Sequence, residues 1–364
     1  MARPRTVYRG KRRYRWIITV LLIILIILLA AGLWLFGFLQ NYIVYDTGGL
    51  HLVLPFSQDE DSGAVNEEQQ GVYTGPAVDA EIVVDEPDYA SVEPIAGENV
   101  PQLHARYITA VSISAANISG YASTLEAGGQ NAMVLQLKSA DGTLSYRSTV
   151  PLTDAYGVNG SEDITEAVAS LKEQGIYLAA MISTLLDDAM AERNAPLALK
   201  DRDGNAARDS LGCWLDPYNA QVREYITDLM SELAVMGFDE VVLTGLGGPG
   251  GGEFSFSQEM TSTPSISAAV SAFALTMSRT AQELGLRCSC LCREDALRAG
   301  NSLTVGQDLS VLFKAFDRVY LHSDAYDLQN DLSLLRMSLS GGEENRIVPI
   351  VTGYAPETGS WAIQ

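Results

Sequence analysis

Histidine and cysteine are scarce in this 364-residue chain. Its three histidines, His51, His104 and His322, are too few and too scattered for a multi-histidine metal centre. Four cysteines cannot staple a scaffold of this length. No glycine-rich nucleotide loop follows the first strand candidate, and no G-x-S-x-G stretch occurs. Their absence removes the usual marks of a dinucleotide fold and of a serine hydrolase elbow. Positive charge is also short: 24 Lys+Arg face 45 Asp+Glu, for a net charge of -21. Phosphate neutralisation needs a basic surface, so no nucleic-acid partner is expected. No cofactor and no metal are expected either. What is present is apolar material, 47% of residues against 19% charged. That suffices for a core and excludes wholesale disorder.

The few basic residues are unevenly placed. Residues 1–15 hold seven of the 24 and no acid. The next 24 residues, 16–39, carry no charge. As a helix this run is about 36 Å long, enough to cross a hydrocarbon core of about 30 Å. A cleavable signal peptide would have a shorter apolar region and small residues after it, where this chain has Trp34, Phe36 and Phe38. The expectation is a signal anchor in the lipid bilayer through 16–39, with the basic flank 1–15 in the cytoplasm and the C-terminal part outside. Residues 40–56 form a short juxtamembrane segment in which Asp46-Thr47-Gly48-Gly49 signals a hairpin turn. Residues 57–100 hold twelve acids and no Lys or Arg. Such a stretch repels itself, so it reads as an extended, disordered acidic linker.

From 101 to 364 the pattern becomes alternating strands and helices. Strand candidates are 107–114, 131–138, 175–183, 238–244, 286–291, 318–322 and 347–353. Most are continuous apolar runs, as for parallel strands covered on both faces. The clearest helix is 217–236, with Asp216 as N-cap, Pro217 at its first position and Gly237 beyond its end. Others fit 162–174, 265–284 and 325–339. Seven β/α steps point to a (β/α)8-type TIM barrel, with a doubly wound sheet as the alternative. The eighth unit is left open: the eleven residues after Gly353 can supply a short strand but no helix before it.

Four stretches then become informative together. They are 131–138 with Asp141-Gly142, 175–182, Trp214-Leu-Asp-Pro-Tyr218, and Gly237-Phe-Asp-Glu-Val241. In these the chain resembles an uncharacterised bacterial family of glycoside hydrolase-like proteins with an amylase-like TIM barrel. The resemblance runs over roughly 103–353. It implies a barrel acting on or binding a polysaccharide or cell-wall glycan. It also sets an Asp and an Arg at the end of the fourth strand where this chain has Thr244 and Gly247, and an Arg in the third strand where it has Met181. Glycoside hydrolysis ordinarily needs two carboxyls, about 5–5.5 Å apart for retention or about 6.5–9.5 Å for inversion, and Thr244 can be neither. Two function classes follow: a membrane-anchored extracellular hydrolase with relocated carboxyls, or an inactive carbohydrate-binding barrel.

Candidate residues follow from placement at strand ends. Glu294, Asp295, Asp324 and Glu253 lie past the C-terminal ends of strands, so a carboxyl pair from among them could do acid–base work. Lys138, Trp214, Asp216, Tyr218, Thr244 and His322 are the substrate-binding candidates, the aromatic rings because they stack on sugar faces. Asp239 and Glu240 open the fourth strand and so belong to the stability end. Cys288, Cys290 and Cys292 alternate on one strand face and read as small buried residues, with one disulfide to Cys213 or a metal as alternatives. The six glycines between Gly245 and Gly252 read as a flexible loop, or as a lid over a groove.

Overall fold

The computed structural model describes residues 43–46, 49–52, 93–96, 100–257, 264–337 and 344–364. The basic segment 1–15, the expected span 16–39 and nearly all of the acidic stretch 57–100 lie outside the described residues. Among the described residues no helix is long and apolar enough to cross a membrane.

The chain divides into two units, residues 1–81 and 82–364. In the first, β1 (Ile43–Asp46) and β2 (Gly49–Leu52) pair antiparallel, Asp46 opposite Gly49. The two-residue connection between apolar runs produces the expected hairpin.

The second unit is a closed barrel of eight parallel strands. In order around the barrel they are β3 (His104–Ile108), β4 (Ala132–Lys138), β5 (Tyr177–Ser183), β7 (Glu240–Thr244), β9 (Arg287–Leu291), β10 (Val319–His322), β11 (Ile347–Val351) and β12 (Trp361–Ile363). Between them a two-residue ribbon, β6 (Lys200–Asp201) with β8 (Phe254–Ser255), joins the connections that follow β5 and β7. The helices are α1 (Ala115–Ala122), α2 (Pro151–Ala155), α3 (Thr165–Glu173), α4 (Asp188–Arg193), α5 (Ala220–Met236), α6 (Ile266–Glu283), α7 (Glu294–Ala299), α8 (Leu309–Ala315) and α9 (Leu328–Arg336).

Strand alternation sorts the core into two parts. Ala105, Tyr107, Val134, Met181, Val242, Tyr320 and Ile350 are among the side chains that fill the lumen. Their neighbours in sequence, such as Leu135, Ile182 and Leu243, belong to the larger cluster with the helix faces. Cys288, Cys290 and Cys292 lie in that outer cluster. All four cysteines are free. Burial pushes the Cys288 and Cys290 thiols well up and the Cys292 thiol to about 12, so they pack as small neutral side chains.

The eighth strand is the short tail. Trp361 pairs with His104 on one side and Ala362 with Ile350 on the other. Trp361 also stacks on the His104 ring at 4.6 Å. The barrel closes with no helix in the connection 352–360.

Two of the boundaries that differ from the sequence expectation have a clear local cause. The first strand ends at Ile108 rather than running to 114, because Ser114 turns the chain into α1 by accepting from the Asn117 amide. The long helix starts at Ala220, capped by the Asn219 side chain on the Gln221 and Val222 amides. Asp216 therefore does not cap it, and Pro217 is not its first residue. Asp216 instead accepts from the Tyr218 and Ser257 amides, tying the segment before α5 to the one after β8.

The N-terminal end of the lumen is closed by charge. Glu240 and Arg318 form an ion pair with both side chains at zero exposure. Tyr320 and Tyr177 donate to the two Glu240 oxygens at 2.9 and 2.8 Å, and Arg318 reaches the Pro101 carbonyl at 2.8 Å. Burial, then the Glu240 charge, raises both phenol pKa values, so they act as neutral donors. Asp239 beside it pairs with Lys172 at 2.6 Å and accepts from the Leu178 amide. The structural assignment of both acids holds.

Candidate functional site

In a parallel barrel the chemically useful end is where the strand C-termini and their connections gather. Alternation carries the lumen face upward to Gln136, Thr244 and His322, each half-buried. Tyr107 rises among them. Its hydroxyl donates to Gln136 Oε1 at 3.1 Å, and its ring meets the His322 ring edge-on at 5.8 Å. The Ala110 amide also donates to Gln136 Oε1, fixing that side chain. Burial lowers the His322 pKa, and Glu294 nearby partly opposes it. The mouth residues thus form a neutral, hydrogen-bonding collar.

The four candidate acids differ in their surroundings. Glu294, half-buried at the start of α7, lies close enough for its charge to act on the His322 ring. Asp295 is exposed and clamped by Arg293 at 3.2 and 2.9 Å. That guanidinium holds its carboxyl below the usual range, the wrong direction for a general acid. Asp324 is exposed and accepts from the Tyr326 and Asp327 amides in its own turn. Glu253 is 80% exposed and lies 3.7 Å from Arg202, beside the β6–β8 ribbon.

The binding candidates divide as well. Thr244 and His322 stand at the mouth, but Lys138 does not. A bulge between Gln136 and Lys138 sets two β4 residues against one on β5, which turns Lys138 out of the lumen. It sits at zero side-chain exposure, 2.6 Å from Asp187, with Ser183 O at 2.9 Å and the Tyr225 ring below it. Asp187 also caps α4 through the Met190 amide. Gly142 explains the Asp-Gly pair after β4: its φ is +91°, and a Cβ there would lie 2.2 Å from Asp187 Oδ1, so no other residue fits. Trp214 is wholly buried, its indole nitrogen without a partner and Arg293 above its ring. Asp216 is buried too, while Tyr218 is half-buried with its ring edge-on to Phe256.

The glycine-rich loop is not uniformly loose. A Cβ on Gly247 would meet the Val305 carbonyl at 2.8 Å, and one on Gly248 the Ile266 side chain at 2.6 Å. The Gly248 amide donates to Val305 O at 3.0 Å, and Gln307 holds the Leu246 carbonyl at 2.8 Å. The first half of the loop is therefore packed over Trp214, with glycine required by close approach. That half is not the flexible element the composition suggested. The end of the loop, Gly251 and Gly252, opens onto a cavity of about 510 Å³ beside the ribbon.

Two features were missed in the sequence. One is this cavity, whose walls include Arg202, Arg208 and Phe254; strands of two residues leave no periodic signal. The other is a cluster of Asp188, Glu192 and Cys213, whose ligand atoms lie within 4.8 Å of one another. The two acids are four residues apart at the start and end of α4, a spacing that could have flagged them. Arg208 already pairs with this cluster, 2.6 Å from Glu192 and 3.7 Å from Asp188.

A family model described as "Putative glycosyl hydrolase domain" matches residues 105–320. No curated protein matches. Among solved structures, a hypothetical protein from Ruminiclostridium thermocellum ATCC 27405 is 21% identical, covering 55% of this chain and 98% of its own, with a TM-score of 0.45. Aspergillus fumigatus Ega3, solved with galactosamine, is 10% identical over 70% of this chain and 78% of its own, TM-score 0.40. The GH20 beta-N-acetylhexosaminidase from Streptomyces coelicolor A3(2) is 15% identical over 68% of this chain and 47% of its own, TM-score 0.44.

Proposed function

From the premise that the chain belongs to the family described as "Putative glycosyl hydrolase domain", we propose that its barrel holds a cell-envelope or environmental polysaccharide at the mouth without cleaving it. The observation that carries this reading is the collar itself. Gln136, Thr244 and His322, half-buried at the mouth, offer neutral hydrogen-bonding groups that suit sugar hydroxyls, with the buried Tyr107 holding Gln136 and His322 from below. The candidate acids support it from the other side. Asp295 is tied to Arg293, Asp324 to its own turn, and Glu253 belongs to the ribbon. Thr244 stands where the family likeness sets an aspartate.

The reading includes the cellular setting. The basic segment 1–15, the uncharged run 16–39 and the acidic stretch 57–100 suit a single-pass anchor with the barrel outside the cell. Protease added to intact cells should then remove the barrel and spare the N-terminus; a protected barrel would contradict the anchor.

The functional test uses the full-length chain with purified wall and polysaccharide fractions. Retention on the polymer is expected, without new reducing ends by mass spectrometry. Thr244→Ala and Gln136→Ala should weaken retention. Release of new ends that is lost in Glu294→Gln would overturn the reading in favour of hydrolysis with Glu294 as the acid, the half-buried carboxyl beside His322.

A further inference from the structure

The structure carries a second candidate site on the same end of the barrel. The connections after β5 and β7 leave neighbouring strands and are stitched together by the β6–β8 ribbon. The cavity of about 510 Å³ lies between that ribbon and the open end of the glycine loop. Pockets of a few hundred cubic ångströms are the usual size for small-ligand sites.

Its walls have a specific composition. Asp201 and Phe254 are directly opposite in the ribbon, so their side chains leave the same face. Asp201 Oδ1 is fixed by the Asp203 and Asn205 amides at 3.0 and 2.8 Å. Arg208 is oriented by Glu192, and Arg202 faces Glu253 at 3.7 Å. Gly251, with φ +80° and nothing within 4 Å of a Cβ position, leaves main chain bare at the edge. Two guanidinium groups and two carboxylates, those of Asp201 and Glu253, stand in the walls, and Arg208 is already neutralised by Glu192 behind it. Planar groups of both signs bind neighbouring hydroxyls in pairs, the guanidinium donating and the carboxylate accepting. A half-buried phenyl ring supplies the apolar face that the C–H side of a sugar ring needs.

We propose that this groove is a glycan subsite, separate from the mouth, for a neutral hydroxyl-rich oligosaccharide. An anionic chain would face Asp201 and Glu253, and a cationic one Arg202 and Arg208. The proposal rests on the reading of the barrel as a glycan binder and adds where, and to what charge class, the polymer binds. The cavity walls come from connections on either side of β7, the strand that ends in Thr244, so a polymer at the mouth could extend into the groove.

The test titrates the full-length chain with chitotetraose and cellotetraose as neutral probes and tetragalacturonate as the anionic one, by calorimetry. At least one neutral probe should bind, and the anionic one at least tenfold more weakly. Phe254→Leu and Arg202→Ala should each raise the dissociation constant about tenfold with an unchanged melting temperature. Arg202 is 83% exposed, so its loss leaves folding intact and keeps the test valid if Phe254→Leu unfolds. Neutral binding untouched by either variant but lost in Thr244→Ala would overturn the groove and leave the mouth reading standing. So would wall polymer retention without tetrasaccharide binding. Preference for tetragalacturonate would overturn the charge class. Loss of retention on every polymer would overturn both readings together.

Discussion

The two ends of the barrel close on opposite chemistry. At the N-terminal ends of the strands, Glu240 and Arg318 form a charged pair at zero exposure, satisfied by two tyrosines. At the C-terminal ends, Gln136, Thr244 and His322 present neutral groups to the opening, over the buried Tyr107. A buried charge is tolerable only while its partner stays, because removing one partner leaves the other desolvated and unpaired. A half-open hydrogen-bonding group loses little when truncated, since water replaces the lost contact. The buried pair should therefore govern folding and the mouth residues binding. Substitutions in these two groups ought to separate cleanly.

The strongest way to break that comparison is Arg318→Met. It leaves the Glu240 carboxylate buried without its cation and should cost about 3–5 kcal/mol, read by urea denaturation. Adding Glu240→Gln to the same chain should recover part of the loss, since it removes the orphaned charge. A single variant near wild type would show that the lower end is not held by this pair.

Gly247→Ala sharpens the comparison at the upper end. Its Cβ would press on the Val305 carbonyl, a main-chain atom that cannot swing away, for an expected cost of about 1–3 kcal/mol. Gly250→Ala is the control, because its Cβ meets Val305 Cγ1 at an ordinary 3.7 Å. It should stay within about 0.5 kcal/mol. Equal melting temperatures for the two variants would mean that the whole loop is loose.

The upper end should also show a smaller, pH-dependent signature. Burial lowers the His322 pKa below its ordinary 6.5. As pH falls below that value the unfolded chain takes up the proton first. Stability from this group is therefore full above the unfolded value, declines as pH drops towards the native one and is level below it. His322→Gln should flatten that part of the profile between pH 7.5 and 5.5 in denaturant titrations. An unchanged slope would place the imidazole in water.

The smallest effect on stability is expected for Thr244→Ala, within about 0.5 kcal/mol, although retention on glycan should fall. A fall in stability with unchanged retention would reverse the roles assigned to the two ends.

Most of the barrel was legible because parallel strands covered on both faces are written as unbroken apolar runs. The strands 132–138, 177–183, 240–244, 287–291, 319–322 and 347–351 all lie inside the expected segments. What failed to show was set by contacts distant in sequence. The bulge that turns Lys138 outward depends on pairing with β5, and nothing in the run 131–138 signals it. Asp216 and Asn219 are both good caps three residues apart, and Asp216 is drawn away by the Ser257 amide, 41 residues on. Glycine used for close packing, as at Gly247, has the same composition as glycine used for flexibility. Thr244 and His322 were legible as mouth residues because strand ends locate the mouth. The Tyr107–Gln136 contact beneath them was not, since each also reads as an ordinary strand residue.

The most direct test of the account is hydrogen–deuterium exchange on the full-length chain, with and without a bound wall polysaccharide. Slowed exchange is expected in the connections after Ile108, Lys138, Thr244 and His322, with no change at the opposite end around Leu178, Glu240 and Arg318. Protection confined to that lower end, or to helix faces away from the mouth, would contradict the claim that the upper end of the barrel is where glycan is held.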